Sequence, residues 1–164
     1  MMGLKTLLFV LLLTSFSIIP FGTAELEVQT EWSVTLSEFK DNYLRDIQQT
    51  PDGGYILVGR QVIFGDNFDI LVIKVNPTGD IDWSTTLDYV ETETALSIRP
   101  TSDEGYIIAG EAYSERSGDR RSCVWKIDSN GDLLWRKIIT DSYLDRAHYA
   151  VQTSDDNYVV LVLY

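Results

Sequence analysis

Carboxylates are the residues of this sequence whose types and spacing come closest to catalytic chemistry. Aspartates recur at Asp52, Asp103 and Asp155, and Glu91 and Glu93 form a further acidic pair. Two carboxylates at a suitable separation act as acid and base in glycoside hydrolysis. Here the aspartates follow a repeat and lie within two residues of a glycine or asparagine, a composition in which aspartate commonly forms turns. We interpret them as turn residues.

Two short segments offer oxygen ligands at the spacing that hard cations such as Ca²⁺ prefer. They are residues 128–132 (Asp-Ser-Asn-Gly-Asp) and 65–69 (Gly-Asp-Asn-Phe-Asp). Neither has the closing glutamate of an EF-hand, and turn formation explains both. We therefore expect no cofactor, with calcium as the alternative.

The remaining candidates for chemistry are single residues. His148 is the only histidine and Cys123 the only cysteine, so neither a zinc site nor an internal disulfide is expected. The chain has no Gly-x-Ser-x-Gly motif to supply a nucleophile for His148. The sequence predicts a surface His148 at the entry to a strand, a core Cys123 in mid-strand, no catalytic residue and no enzyme.

The N-terminus is typical of a secretory signal peptide. Residues 1–24 combine one positive charge, Lys5, with an apolar run of about 13 residues and the small residues Gly22 and Ala24. A spanning helix needs roughly 20 apolar residues. We expect cleavage before Glu25, a secreted or cell-surface protein, and no membrane span after removal of the signal.

The charge of the chain excludes one class of partner. The formal net charge is −12 for all 164 residues, and removal of Lys5 with the signal takes it from −12 to −13. A chain this acidic repels phosphate backbones, so nucleic acid is not expected as a partner.

A repeat of about 51 residues organises the rest of the chain. Trp32, Trp83 and Trp135 recur at this spacing, and three further residue types recur with them. These are the tyrosines Tyr55, Tyr106 and Tyr158, the aspartates named above, and the threonines Thr50, Thr101 and Thr153. Each unit predicts four short strands, with turn glycines Gly79 and Gly131 in the left-handed conformation before the last strand.

Four antiparallel strands in about 50 residues are typical of one β-propeller blade. The fold class is therefore all-β, with blades at about 44–87 and 95–139. Residues 147–164 supply a partial blade, and residues 27–36 a lone N-terminal strand, all within a domain spanning 25–164. The tryptophan of each unit is expected to fill the gap to the neighbouring blade.

The motifs DGGYILVG and KIDSNGDLLW resemble those of secreted β-propeller repeat proteins of archaea and bacteria. The resemblance covers about residues 27–164 and implies fold and export rather than a reaction. The Gly79–Trp83 and Gly131–Trp135 segments are also similar to the tryptophan-docking motif of quinoprotein-type propellers.

About two and a half blades are fewer than the four to eight that close a propeller. Three explanations stay open: a piece of a longer reading frame that supplies the missing blades, several copies assembled into a ring, or an open sheet in which the N-terminal strand pairs with the C-terminal pair. The last strand is apolar and would leave an unpaired edge.

The predicted binding surface is a pair of polar loops, 61–67 and 112–120, with Arg116, Arg120 and Arg121 as a local positive group. The leading hypothesis is a non-enzymatic binding or cell-surface interaction module of unknown ligand. The alternatives are a fragment of a quinoprotein-like enzyme and a carbohydrate-binding module, the latter because Asp155 and Asn157 resemble part of a bulb-type lectin motif.

Overall fold

The computed structural model describes residues 42–65, 67–88, 92–114, 118–139 and 145–163. The expected signal peptide (1–24), the expected N-terminal strand (27–36) and Trp32 lie outside the described residues. Ten strands follow one another along the described chain: β1 (Tyr43–Gln49), β2 (Tyr55–Phe64), β3 (Asn67–Val75), β4 (Ile81–Leu87), β5 (Thr92–Pro100), β6 (Tyr106–Ser114), β7 (Asp119–Ile127), β8 (Leu133–Ile138), β9 (Arg146–Gln152) and β10 (Tyr158–Leu163).

The strands form two four-stranded antiparallel sheets and one antiparallel hairpin. The first sheet has the order β1-β2-β3-β4, the second sheet has the order β5-β6-β7-β8, and β9 and β10 form the terminal hairpin. The predicted all-β class and the four-stranded antiparallel sheets are confirmed. The described strands do not close into a barrel or a propeller. Within the described part of the chain, no helix has the length and apolar character needed to cross a bilayer.

One central strand of each sheet, β3 or β7, is buried on both faces over most of its length. β3 is buried from Asp69 through Val75, and β7 is buried from Ser122 through Ile127. Continuous apolar runs are typical of strands covered on both sides. These parts of β3 and β7 therefore have no solvent-facing side.

The prediction of polar loops at 61–67 and 112–120 is largely wrong. β2 continues to Phe64 before β3 begins at Asn67, and β6 continues to Ser114 before β7 begins at Asp119. Gln61 pairs with Asp69, and Ala112 pairs with Arg121. Runs of polar side chains resemble loops, but antiparallel strands tolerate them where one face meets water.

A bulge recurs at one position in the first strand of each unit. Arg45, Leu96 and His148 each lie seven residues before the repeated aspartate, and the strand register skips each of them. The extra residue bends the strand and increases its twist. His148 therefore lies within β9, partly buried, and the expectation of a surface position at a strand entry is only partly met.

The sheets stack face to face through apolar side chains. Ile56, Val58 and Val72 of the first sheet pack on Ile98 and Trp125 of the second sheet. The other face of the second sheet carries Ile107 and Ala109, which pack on Ala147 and Ala150 of the terminal hairpin. Each interlayer contact removes apolar surface from water and so contributes to stability.

An aromatic contact repeats between successive layers. Trp83 of β4 lies edge-on to Tyr106 of β6 with ring centroids 6.5 Å apart, and Trp135 of β8 lies against Tyr158 of β10 at 5.5 Å. Gly131 also lies against Trp83, since a Cβ placed on it would come within 2.8 Å of the Trp83 ring. Its φ of 89° matches the predicted left-handed glycine, as does the 94° of Gly79.

Substitution of Gly131 by alanine tests this packing. Gly131→Ala should lower the free energy of unfolding by about 2–4 kcal/mol, because it combines a strained positive φ with a clash on Trp83. Gly118→Ala is the matched control, since Gly118 has a φ of 75° and a Cβ there meets nothing within 4 Å. The control should lose only about 1 kcal/mol in urea denaturation. Equal losses in the two variants would refute the contact.

Candidate functional site

A buried lysine bound to a turn aspartate is the most elaborate polar arrangement of the first sheet. Lys74 on β3 is 5% exposed, and its ammonium donates to Asp52 Oδ2 at 2.8 Å. The Thr50 hydroxyl donates to the other oxygen, Oδ1, which also accepts from the Gly54 amide at 3.0 Å. The hydrogen bond from Lys74, followed by that from Thr50, holds the pKa of Asp52 far below its ordinary value.

The second sheet repeats the arrangement with Lys126, which is 2% exposed. Its ammonium lies 3.0 Å from Asp103 Oδ2 and also donates to the Ile127 carbonyl at 3.0 Å. Thr101 donates to Asp103 Oδ1 at 2.5 Å. The bond from Thr101, followed by that from Lys126, lowers the pKa of Asp103 to about 2. Both aspartates thus remain ionised and bound at neutral pH.

Glycine is required beside each lysine because the next strand comes very close. A Cβ on Gly54 would lie 2.3 Å from the Val75 carbonyl oxygen, and one on Gly105 would lie 2.4 Å from that of Ile127 and 2.3 Å from Lys126 Nζ. In the second turn the positive φ of 63° falls on Glu104, so Gly105 is there for close approach. In the first turn the positive φ, 82°, falls on a glycine, Gly53.

The terminal hairpin departs from this pattern at one residue. Asn157 stands where the sheets have Gly54 and Gly105, and its side-chain Nδ2 donates to Asp155 Oδ2 at 2.9 Å. Thr153 donates to Asp155 Oδ1 at 2.5 Å, as in the other units. These two bonds lower the pKa of Asp155. The amide of Asn157 therefore takes the place of the lysine ammonium.

A cleft of about 350 Å³ lies between the first and second sheets at their turn ends. Asp52, Asp82 and Glu104 bring carboxylates to it, and Trp83 and Tyr106 form its aromatic wall. Burial, and then the charge of Asp52, raise the pKa of Tyr106 to about 12. Tyr106 therefore remains protonated and cannot act as a base at neutral pH.

The polar groups of this cleft largely satisfy one another. Lys74 contributes its ammonium but holds it within 2.8 Å of Asp52 and 3.7 Å of Asp82. The described residues contain no group of three or more histidine, cysteine, aspartate or glutamate side chains placed to hold a metal ion. The cleft is accordingly an acidic recess with an aromatic wall, and its lysine serves the turn.

The predicted arginine group is placed on a strand and not in a loop. Arg120 and Arg121 belong to β7, while Arg116 lies outside the described residues. Arg120 pairs with Glu111 at 3.2 Å, and Arg121 lies 3.6 Å from Asp119. Both guanidinium groups are thus neutralised locally, and a ligand at this group stays a prediction.

The other single residues proposed from sequence serve packing or turns where they are described. Cys123 is fully buried in β7 within the core between the two sheets, as predicted. Asp128 Oδ1 accepts the backbone N–H groups of Asn130 and Asp132, each at 2.9 Å. That is the turn predicted for this segment, and calcium there remains untested. Glu93 is buried near Arg136 at 3.5 Å, and Glu91 lies outside the described residues.

Sequence reasoning overlooked the lysines. Lys74 and Lys126 open the repeated phrases KVNPTGDIDW and KIDSNGDLLW, 22 and 23 residues after Asp52 and Asp103. A positive charge that recurs inside an apolar strand needs a partner, because a lone buried ammonium is strongly unfavourable. The repeated aspartates Asp52 and Asp103 share the period of the lysines, and that shared period was the available signal.

An apolar surface on the terminal hairpin is the last feature of interest. Its outer surface comprises five side chains that are 44–57% exposed: Tyr149, Val151, Val159, Leu161 and Leu163. Val151 lies opposite Val159, and Tyr149 lies opposite Leu161. A contiguous apolar group of this kind commonly marks a contact surface.

No known protein family and no curated protein sequence matches this chain.

The aspartate bonds predict a pH dependence of stability. The folded pKa of Asp103, about 2, lies below its ordinary value of 3.8. The stabilisation from this carboxylate is therefore full above about pH 4 and is lost as the pH falls towards about 2. Asp103→Asn should be less stable than the natural chain at neutral pH, and the difference should shrink between about pH 4 and 2.

Thermal melts across this pH range would measure the difference. Asp132→Asn, at an exposed turn position, is the control and should follow the natural chain throughout. A constant gap between Asp103→Asn and the natural chain down to about pH 2 would contradict the assignment.

Proposed function

We propose that this protein is an exported, non-enzymatic interaction module of β-propeller type, which acts by docking another surface onto the outer surface of its terminal hairpin. Export is inferred from the N-terminal sequence, and the blade interpretation from the repeat and its resemblance to secreted propeller proteins. In this proposal the ligand or partner binds to this surface and not to a catalytic site.

The observation that carries the proposal is the equivalence of this surface with faces that are buried elsewhere in the chain. Val159 and Leu161 lie four and six residues after Asp155. Ile56 and Val58 have the same places after Asp52 and pack on the second sheet. Ile107 and Ala109 have the same places after Asp103 and pack on the terminal hairpin. The outer surface therefore corresponds to the face on which each sheet receives the next layer.

Energetics favour covering this surface. Complete burial of a Val, Leu or aromatic side chain contributes about 1.5–3 kcal/mol. The five side chains are each about half exposed, so a docked layer would gain roughly 1 kcal/mol from each. A sum of this size supports a specific contact once the loss of rotational and translational freedom is offset.

The chain offers a matched pair of tyrosines for testing the proposal. Tyr43 and Tyr149 are both 48% exposed, and each ring has an arginine over it, Arg60 at 4.7 Å and Arg99 at 5.4 Å. Only Tyr149 belongs to the outer surface. Hydroxyl-radical footprinting can measure the oxidation rate of each tyrosine in two samples. One sample is the protein in a culture of the cells that produce it, and the other is the purified protein at high dilution.

We expect the oxidation rate of Tyr149 to be at least about threefold lower in the cellular sample than in the dilute one, because a docked layer excludes solvent. The oxidation rate of Tyr43 should be the same in both samples. Equal rates for Tyr149 in the two samples would refute an interaction through this surface.

A further inference from the structure

The β10 edge is the strongest unassigned feature of the molecule. We define it as the backbone side of Tyr158–Leu163 that faces away from β9. Among the described strands only β9 pairs with β10, so the N–H and C=O groups of this side have no described strand beside them. All six residues of β10 are uncharged and apolar or aromatic.

The corresponding outer strands of the two sheets are protected by charge. β4 carries Asp82, and β8 carries Arg136 and Lys137. Charged residues on an edge strand disfavour pairing with another chain, whereas a regular apolar edge invites it. Among the three described outer strands, β10 alone lacks such a charge.

Asn157 prevents a third strand from pairing with β10 in the way that β3 pairs with β2 and β7 pairs with β6. In both sheets the third strand passes so close to the turn that a Cβ on Gly54 or Gly105 would lie 2.3–2.4 Å from a backbone oxygen of that strand. Asn157 has a Cβ at this position, and its amide already holds Asp155. A third strand with the repeat's lysine and register therefore cannot sit beside β10.

We propose that the β10 edge pairs with the β10 edge of a second copy of this chain, in antiparallel fashion about a two-fold axis at Leu161. This inference goes beyond the proposed function, because it names a partner for the β10 edge and leaves the outer surface of the hairpin open to a docked layer. The product is a four-stranded sheet of order β9-β10-β10-β9, which has the strand number of the first and second sheets.

The proposed register keeps every side chain on its present face. Leu161 lies opposite Leu161 of the second copy, and Val159 lies opposite Leu163 of the second copy. Outward residues thus meet outward residues, as pairing of a buried face requires, because a shift by one residue would reverse the faces. The ladder spans Val159–Leu163 and leaves Asn157 outside it. Both outer surfaces then join into one continuous apolar face.

Charge opposes this association at long range, and that gives it a distinctive salt dependence. Each copy carries a formal net charge of −12, or −13 after loss of Lys5 with the signal, whereas the strands that pair are uncharged. Salt screens the repulsion between the copies. Dimerisation should therefore strengthen as ionic strength rises from about 0.05 M to 0.5 M, where an interface built on ion pairs would weaken.

The direct test is a charge swap at the two-fold axis. The full chain, expressed through an export pathway, should be a dimer by light scattering at about 100 μM. Leu161→Lys and Leu161→Asp, each at a half-exposed position, should each weaken the dimer about tenfold or more, because like charges would face each other. An equimolar mixture of the two variants should restore the dimer, because the opposed charges then attract.

Two controls keep the test specific. Leu134→Lys, on the outer strand β8 and 55% exposed, should remain dimeric. A mixture of Val159→Lys and Val159→Asp should not regain the dimer as the position-161 mixture does, because residue 159 faces residue 163 in the proposed register. Cooperative thermal melts of each variant would show that the charge acts on association and not on folding.

Three outcomes would overturn the inference: a natural chain that is monomeric at about 100 μM, a Leu161→Lys variant that still dimerises, or a mixture that is not restored. If the natural chain is monomeric while Tyr149 stays protected in the cellular sample, the dimer is refuted, but a partner occupies the outer surface and the proposed function survives. A monomer whose Tyr149 is protected even at high dilution would place a segment of the same chain there. A monomer with no protection in either sample would remove both proposals.

Discussion

A buried ammonium group sets the architecture of each sheet. Lys74 and Lys126 lie inside apolar strands, and each ammonium is bound by the aspartate of the turn that precedes the neighbouring strand. That bond determines where the turn ends and requires a glycine next to it, since the third strand passes within contact distance. The tyrosine after the turn lies at the layer boundary, where Tyr106 and Tyr158 meet the tryptophan of the preceding sheet.

The terminal hairpin keeps the turn but dispenses with the lysine. Lys74 and Lys126 donate a hydrogen bond to the turn aspartate from a third strand, whereas Asn157 donates one to Asp155 from within the turn. Asp155 therefore finds its hydrogen-bond donors within the hairpin. The hairpin still stacks on the second sheet through Ala147 and Ala150, and it still presents the face that receives a next layer. The hairpin thus needs no lysine from a third strand to complete its turn, and it leaves an apolar surface exposed. Both features favour association with a partner other than a third strand of the repeat.

The repeat made much of the fold predictable, because residues that recur at a fixed period occupy equivalent places. The positions of Gly79 and Gly131, the burial of Cys123 and the four strands of each unit follow from turn chemistry and alternation. The extension of the strands through Gln61 and Arg120 could not be predicted in this way, because polar side chains on a solvent-facing strand resemble a loop. The lysine–aspartate bonds and the bulges at Arg45, Leu96 and His148 depend on which strands become neighbours, and local pattern does not encode that.

Amide hydrogen exchange along β10 tests the central claim most directly. In an antiparallel strand successive N–H groups point to opposite sides, so β9 alone protects only every second amide of β10. If the β10 edge is paired in the functional protein, all amides from Val159 to Leu163 should exchange slowly, at rates similar to those in β7. An alternating pattern, with every second amide exchanging as fast as an exposed one, would show an open edge and contradict the account.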